Sequence, residues 1–234
     1  LIISDSSLKA GQDKAEALGV AVAQSHQELV DEVDLLVLGV KPQVLASVLN
    51  PLILTKPILS MAAGTSLEYL DKLSQADLPI IRIMPNLNAK ILQSSTAICR
   101  NDKVSDQLFK IAKQITDSFG TTFEIAEKDF DTFTALAGSS PAYIALFIEA
   151  MSKAGLKHGF PKDLAFKIVS QTVLATTSNL IQGQKKPNDL IDKVSSPGGT
   201  TIAGLLDLEK TGFTASTISA IDATIDRSEE RRVG

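Results

Sequence analysis

Up to about residue 126 the apolar positions alternate between two patterns. Short runs such as Asp34-Leu35-Leu36-Val37-Leu38-Gly39-Val40 are apolar almost throughout, and they are separated by longer stretches in which apolar residues recur every three or four positions. An uninterrupted apolar run marks a strand covered on both faces, as parallel strands flanked by helices are. Strands are therefore predicted at Leu1–Ser4, Asp34–Val40, Pro57–Ala62, Leu78–Met84, Ser95–Arg100 and Thr121–Ile125. Between them helices are predicted at Lys9–Leu18, from Pro42, after Thr65-Ser66-Leu67-Glu68 (read as a capping box) and at Asp102–Phe119. Such alternation specifies a doubly wound α/β sheet.

After Asp129 every periodic segment is helical: Asp129–Ala137, Pro141–Leu156, Pro161–Gln182, Thr200–Lys210 and Ala215–Glu230. The predicted domains are α/β over 1–126 and all-α over 127–228, with a tail at 229–234 that is either foreign or frayed. From Ala142 to Ile148 the helix is apolar nearly all round, so every side of it must be covered. A small helical half cannot do that alone, and a homodimer with packed helical halves is expected.

Composition narrows the chemistry. A net charge of −4 argues against nucleic acid as the main partner, since phosphate binding needs a positive face. The single cysteine, Cys99, excludes an intrachain disulfide, fits a reducing cytoplasm, and sits in an apolar run as a packed thiol would. His26 and His158 are the two histidines and are far apart, so no metal centre is expected. No apolar stretch is read as long enough to cross a bilayer, and residues 1–10 lack the pattern of a signal peptide. Cytoplasm is the expected location.

Candidate chemistry lies where strands end. Ligands of doubly wound sheets bind outside the carboxyl ends of the strands. There the chain places Ser4, Asp5 and Ser6, then Val40, Lys41 and Pro42, then Ala62, Ala63 and Gly64, and finally Asn86. Asp5 stands where an acid would accept a ribose 2′-hydroxyl, while the neighbouring serines and Lys9 suit a 2′-phosphate. The small residues after Ser60 either leave room for a ligand or simply pack strand against helix. Asn86 either holds a ring amide or shapes its own loop. Gly138-Ser139-Ser140-Pro141 reads as a sharp turn whose hydroxyls cap the next helix, and Tyr143 as a core residue.

The run Ser195-Ser196-Pro197-Gly198-Gly199-Thr200-Thr201 carries the most information. Its glycines let backbone approach a ligand closely, and its threonines open a helix whose unpaired N–H groups and dipole favour an anion. Ser196, Pro197, Gly198, Gly199, Thr200 and Thr201 therefore form a candidate carboxylate pocket, with a plain turn and helix cap as the alternative.

Taken together, Gly39-Val40-Lys41-Pro42, Met61-Ala62-Ala63-Gly64, Arg82-Ile83-Met84-Pro85-Asn86, Ala137–Tyr143 and Ser195–Thr201 resemble the pyrroline-5-carboxylate reductases in order and spacing, over nearly the whole chain to about Ser228. The resemblance implies a Rossmann-like sheet followed by a helical dimerisation domain, interlocked dimers that are often assembled into rings, and reduction of a cyclic imine to proline by NADPH or NADH. It implies that Thr201 hydrogen-bonds the imine nitrogen while Ser196–Thr200 hold the carboxylate, offered to the other subunit's cofactor. Leu87-Asn88 replaces a common Thr-Pro, and Gln184 stands where some relatives carry glutamate. The Gly-x-Gly-x-x-Gly phosphate turn of such sheets does not occur, so a chain lacking its first strand and helix is expected. Two rivals are a related dehydrogenase of another small acid, disfavoured by the absence of histidine near the motifs, and a non-catalytic dimerising fragment.

Overall fold

The computed structural model describes residues 1–184 and 186–231. Of the expected tail, residues 232–234 lie outside the described residues. The chain divides into two compact units, Leu1–Gly138 joined by the end of the chain from Ile225, and Ser139–Thr224.

In the first unit, β1 (Ile2–Ile3) runs parallel to β2 (Ala21–Val22) as a two-stranded sheet. Between them α1 (Leu8–Leu18) begins where the Ser7 hydroxyl accepts the Ala10 N–H at 3.2 Å, and ends at Gly19 in the left-handed region. Next, α2 (His26–Glu32) is capped in the same way by Ser25. A second sheet follows, with β3 (Leu36–Leu38), β4 (Ile58–Ser60), β5 (Ile80–Met84), β6 (Ser94–Arg100) and β7 (Gly120–Glu124) in that order. Its helices are α3 (Pro42–Leu49), α4 (Leu67–Ser74) and α5 (Asp106–Asp117).

The structure departs from the sequence reading in several places, beginning with β2 and α2, which were not predicted. The sheet is mixed, because β6 runs antiparallel to β5. A parallel return needs a crossover of a dozen or more residues, and the link Pro85–Gln93 holds only a 3₁₀ turn, Leu87–Ile91. The capping box after β4 does not form. Ser66, not Thr65, caps α4 by accepting the Tyr69 N–H, while Thr65 donates to Ala62 O at 2.7 Å and Glu68 pairs with Lys72.

Alternation along the strands splits the core. Leu36, Leu38, Ile58 and Ile80 pack with Leu45, Leu49 and Leu70, while Leu59, Ile81, Ile83 and Ile98 pack with Phe109 and Ala112. Phe130 closes a third cluster with Ala97 and Cys99. Burial, reinforced by Glu127 and opposed by Arg82, pushes the Cys99 thiol up to about 12. Native protein is accordingly expected to resist iodoacetamide at neutral pH, and denatured protein to be alkylated. Mass spectrometry showing rapid native modification would overturn this.

Beyond β7 (and a 3₁₀ turn at Glu127–Asp129), α6 (Phe130–Phe133), a π-helical turn Thr134–Ser139 and α7 (Ser140–Lys157) form one helical run, Glu127–Lys157. The predicted sharp turn at Gly138–Pro141 is absent, and Ser139 makes no side-chain cap. By length and composition this run is sufficient to cross a membrane, contrary to the sequence reading, which broke it at Gly138.

The second unit contains α7, α8 (Lys162–Gly183), α9 (Pro187–Val194) and α10 (Thr200–Lys210), and the greater part of α11 (Phe213–Glu230). Small residues allow α7 and α8 to cross closely: a Cβ on Gly155 would lie 2.9 Å from that of Ala165. Tyr143 is half-buried, with its hydroxyl 2.5 Å from that of Thr224. Ile144, Leu146, Phe166, Leu174 and Ile181 remain exposed, so in a single chain the apolar face of α7 and α8 is not covered. At its far end α11 continues to Glu230, past the expected start of the tail, and Ser228 donates to Asp131 at 2.6 Å.

Candidate functional site

Register places the predicted cofactor residues from Val40 onward along one edge of the larger sheet. Leu38, Ser60 and Arg82 are lateral partners in β3, β4 and β5, which are mutually parallel. The residues that follow them, Val40–Pro42, Ala62–Gly64 and Asn86, therefore emerge on the same side.

Each of these turns is built locally. Lys41 is the N-cap residue of α3 without a side-chain cap bond, and Pro42 occupies the first helical position. Lys41 itself is exposed. Ala62 is buried and its N–H donates to Ser60 Oγ at 3.3 Å. Gly64 has φ of +70°, a conformation a side chain would strain, so the chain doubles back to α4 without Cβ bulk at the strand mouth. Ala63 is exposed there.

Asn86 is largely engaged within the protein. Its Oδ1 accepts the Asn88 N–H at 3.2 Å, its Nδ2 donates to Ala137 O at 2.9 Å, and its own N–H donates to Ser94 Oγ at 3.1 Å. Ala137 belongs to the π-helical turn, whose widened hydrogen bonding leaves carbonyls available to such a donor. The loop-shaping alternative for Asn86 thus has its bonds in place.

Ser4, Asp5 and Ser6 follow β1. With Ser25 and His26 at the start of α2, they line a cavity of about 270 Å³. Ser4 Oγ lies 2.7 Å from His26 Nδ1. Asp5 Oδ1 accepts from Ser6 N at 2.7 Å and from Ser6 Oγ at 3.0 Å, and its Oδ2 is paired with Lys14. The lysine, followed by Ser6, holds the Asp5 carboxyl down at about 2. Sequence reasoning missed both Lys14 and His26. Lys14 lies nine residues after Asp5 on an exposed helical face, so it carries no motif, and its helical position relative to Asp5 was the one available signal.

In the second unit, Ser195–Gly199 links α9 to α10. Gly199 N donates to Ser196 O at 3.0 Å, and Gly198 takes φ of +68°. Gly199 is the N-cap of α10 and offers no side chain to its first turn, which leaves the N–H groups of Thr200, Thr201 and Ile202 outside the intrahelical ladder. The Ser195 hydroxyl is enclosed and has no hydrogen-bond partner among the described residues. A helix start with free donors suits a small anion. Thr201 itself is exposed. No cluster of potential metal ligands occurs among the described residues.

Comparison with known proteins identifies the family. The family description "Pyrroline-5-carboxylate reductase dimerisation" matches residues 127–231, past the predicted limit near Ser228. A pyrroline-5-carboxylate reductase of Glycine max is 40% identical over 219 residues, covering 92% of this chain and 80% of that protein. A 1-pyrroline-5-carboxylate reductase of known structure from Streptococcus pyogenes is 58% identical with a TM-score of 0.92, covering 98% of this chain and 89% of that one. The Plasmodium falciparum pyrroline carboxylate reductase, solved with NADP bound, is 30% identical with a TM-score of 0.87, covering all of this chain and 87% of that one. The chain belongs to the pyrroline-5-carboxylate reductase family, NAD(P)-dependent oxidoreductases with a Rossmann-like sheet and a helical dimerisation domain.

Proposed function

We propose that this protein reduces 1-pyrroline-5-carboxylate to L-proline, the closing step of proline synthesis, with NADPH or NADH as hydride donor. The observation that carries the reading is the Ser195–Thr201 turn, intact in sequence and shaped in the structure as an uncapped helix start. It acts as a cytoplasmic homodimer, the turn of one subunit serving the sheet edge of its partner. The exposed apolar residues of α7 and α8 support that dimer and account for the hydropathy of Glu127–Lys157 without a membrane.

The sheet edge fits a dinucleotide. The cavity beyond β1 and β2 has the carboxylate and hydroxyls that a ribose requires, and the bends at Val40–Pro42 and Ala62–Gly64 leave a low wall along which the rest can lie. A bound dihydronicotinamide supplies the hydride. A protonated cyclic imine is already electrophilic at carbon, so the protein needs no strong acid and works mainly by holding the partners in place. In this reading the turn Ser196–Gly199 and the N–H groups of Thr200, Thr201 and Ile202 hold the substrate carboxylate, and the Thr201 hydroxyl orients the ring nitrogen. Gly199 keeps the approach free of side-chain bulk.

Thr201→Ala is expected to lower kcat/KM for the imine by about tenfold, the loss of one polar contact in the transition state, with NADPH affinity unchanged. The assay follows dihydronicotinamide absorbance with pyrroline-5-carboxylate as substrate. Turnover only with another 2-oxo or 2-hydroxy acid would favour the rival dehydrogenase. A stable dimer without turnover would favour the dimerising fragment.

A further inference from the structure

The cavity beyond β1 and β2 contains more chemistry than a ribose diol alone requires. Its rim carries three hydroxyls (Ser4, Ser6 and Ser25), an imidazole and a carboxylate, and the carboxylate is not free. One Asp5 oxygen is held by both Ser6 donors and the other by the Lys14 ammonium. The Ser6 bonds come from the adjacent residue and fix the carboxylate in place. The Lys14 bond comes from a long side chain that is 62% exposed, against 21% for Asp5. Exposed ion pairs contribute little net stability, so the lysine can leave its partner at little cost while the acid stays where it is.

This asymmetry makes the pair a two-way device. With Lys14 displaced toward solvent, Asp5 presents an ionised acceptor to a vicinal diol. With Lys14 drawn to the rim, its charge offsets that of Asp5 and its three donors meet a phosphomonoester, which the acid alone would repel. His26, tied to Ser4 through Nδ1, has Nε2 left as the second nitrogen-based contact on the same rim. Glu28, in α2, accepts the Gln24 N–H at 2.5 Å.

Resting on the reading that the protein uses a nicotinamide dinucleotide, we infer that Lys14 sets the choice between cofactors: it receives the 2′-phosphate of NADPH, while Asp5 receives the 2′-hydroxyl of NADH, so that one pocket accepts both. Lys14 is then a specificity-determining residue that the strand-end motif does not contain.

The test uses calorimetric titration of the protein with adenosine 2′,5′-bisphosphate and with 5′-AMP, which carry the two alternatives without the nicotinamide. Lys14→Met is expected to weaken the bisphosphate about tenfold and 5′-AMP by less than about twofold, the loss of one charge-assisted contact to phosphate. Asp5→Asn is expected to act the other way, tightening the bisphosphate and weakening 5′-AMP severalfold. Lys14 lies on an exposed helix face, and an unchanged circular dichroism spectrum checks that the variant folds. Equal effects of Lys14→Met on both nucleotides, or binding of neither by the parent protein, would overturn the inference. The proposed function fails separately: loss of imine reduction with the nucleotide pattern intact would refute the reaction and leave the role of Lys14 standing.

Discussion

Gly199→Val is expected to lower imine reduction at least about a hundredfold, equivalent to about 2.7 kcal/mol of transition-state stabilisation, while nucleotide affinity stays within about twofold of the parent. The reason is steric and local. A Cβ at this position would lie 3.1 Å from Ser196 O and closer still to Ser196 Oγ, so the hydroxyl has to rotate away and the carbonyl has to give by about a few tenths of an ångström, which loosens the bend that Gly199 N makes back to Ser196 O. Loosening it moves Ser196 and the start of α10 together, and with them the N–H groups proposed to hold the carboxylate. A branched side chain would also occupy the space above those donors. The loss then combines displaced anion contacts with exclusion of the ring, which is why it exceeds that of Thr201→Ala. Steady-state kinetics with pyrroline-5-carboxylate, paired with calorimetric NADPH binding, separates the two effects. A variant with kcat/KM near that of the parent would show that the substrate does not approach this turn.

The second large effect concerns stability. Arg82→Met is expected to reduce the unfolding free energy by about 2 to 3 kcal/mol. Arg82 is buried in β5, its guanidinium 3.0 Å from Glu127 and 4.3 Å from the centre of the Phe130 ring. Glu127 also accepts the Leu67 N–H at 2.6 Å, so one carboxylate ties β5 to the first turn of α4 and to the chain entering α6. Methionine fills much of the volume but leaves that carboxylate without its cation. Breaking a fully buried pair costs about 3 to 5 kcal/mol, and the partial exposure of Glu127, 32%, lowers the figure because water recovers part of the charge. Arg82→Lys should fall between the two, retaining the charge without the planar stacking. Urea denaturation measures the difference, and a change under about 0.5 kcal/mol would mean that the pair contributes nothing net.

These two residues illustrate different degrees of legibility. Gly199 lay within the most informative run of the sequence, and its conformational role followed from the neighbouring Gly198 and the helix pattern starting at Thr200. Arg82 sat in a recognisable motif, yet nothing local indicated that its partner was Glu127, far along the chain. Asn86 is the intermediate case. Both of its readings were visible, and the structure supplies the bonds of one of them through Ala137, a carbonyl available because the helix widens into a π turn there. That widening has no signature in periodicity, which is why Gly138–Pro141 read as a break.

What the sequence determined alone was whatever depends on neighbours a few positions apart. The apolar runs became β3, β4 and β5, and Thr200–Lys210 became α10 with those bounds. Burial of strand faces and satisfaction of helix-end donors are local requirements, so local patterns record them. Tertiary structure decided the antiparallel course of β6, the Arg82–Glu127 tie and the pairing of Lys14 with Asp5. Each depends on which distant groups the folded backbone brings within hydrogen-bonding reach, a quantity set by packing of the whole unit.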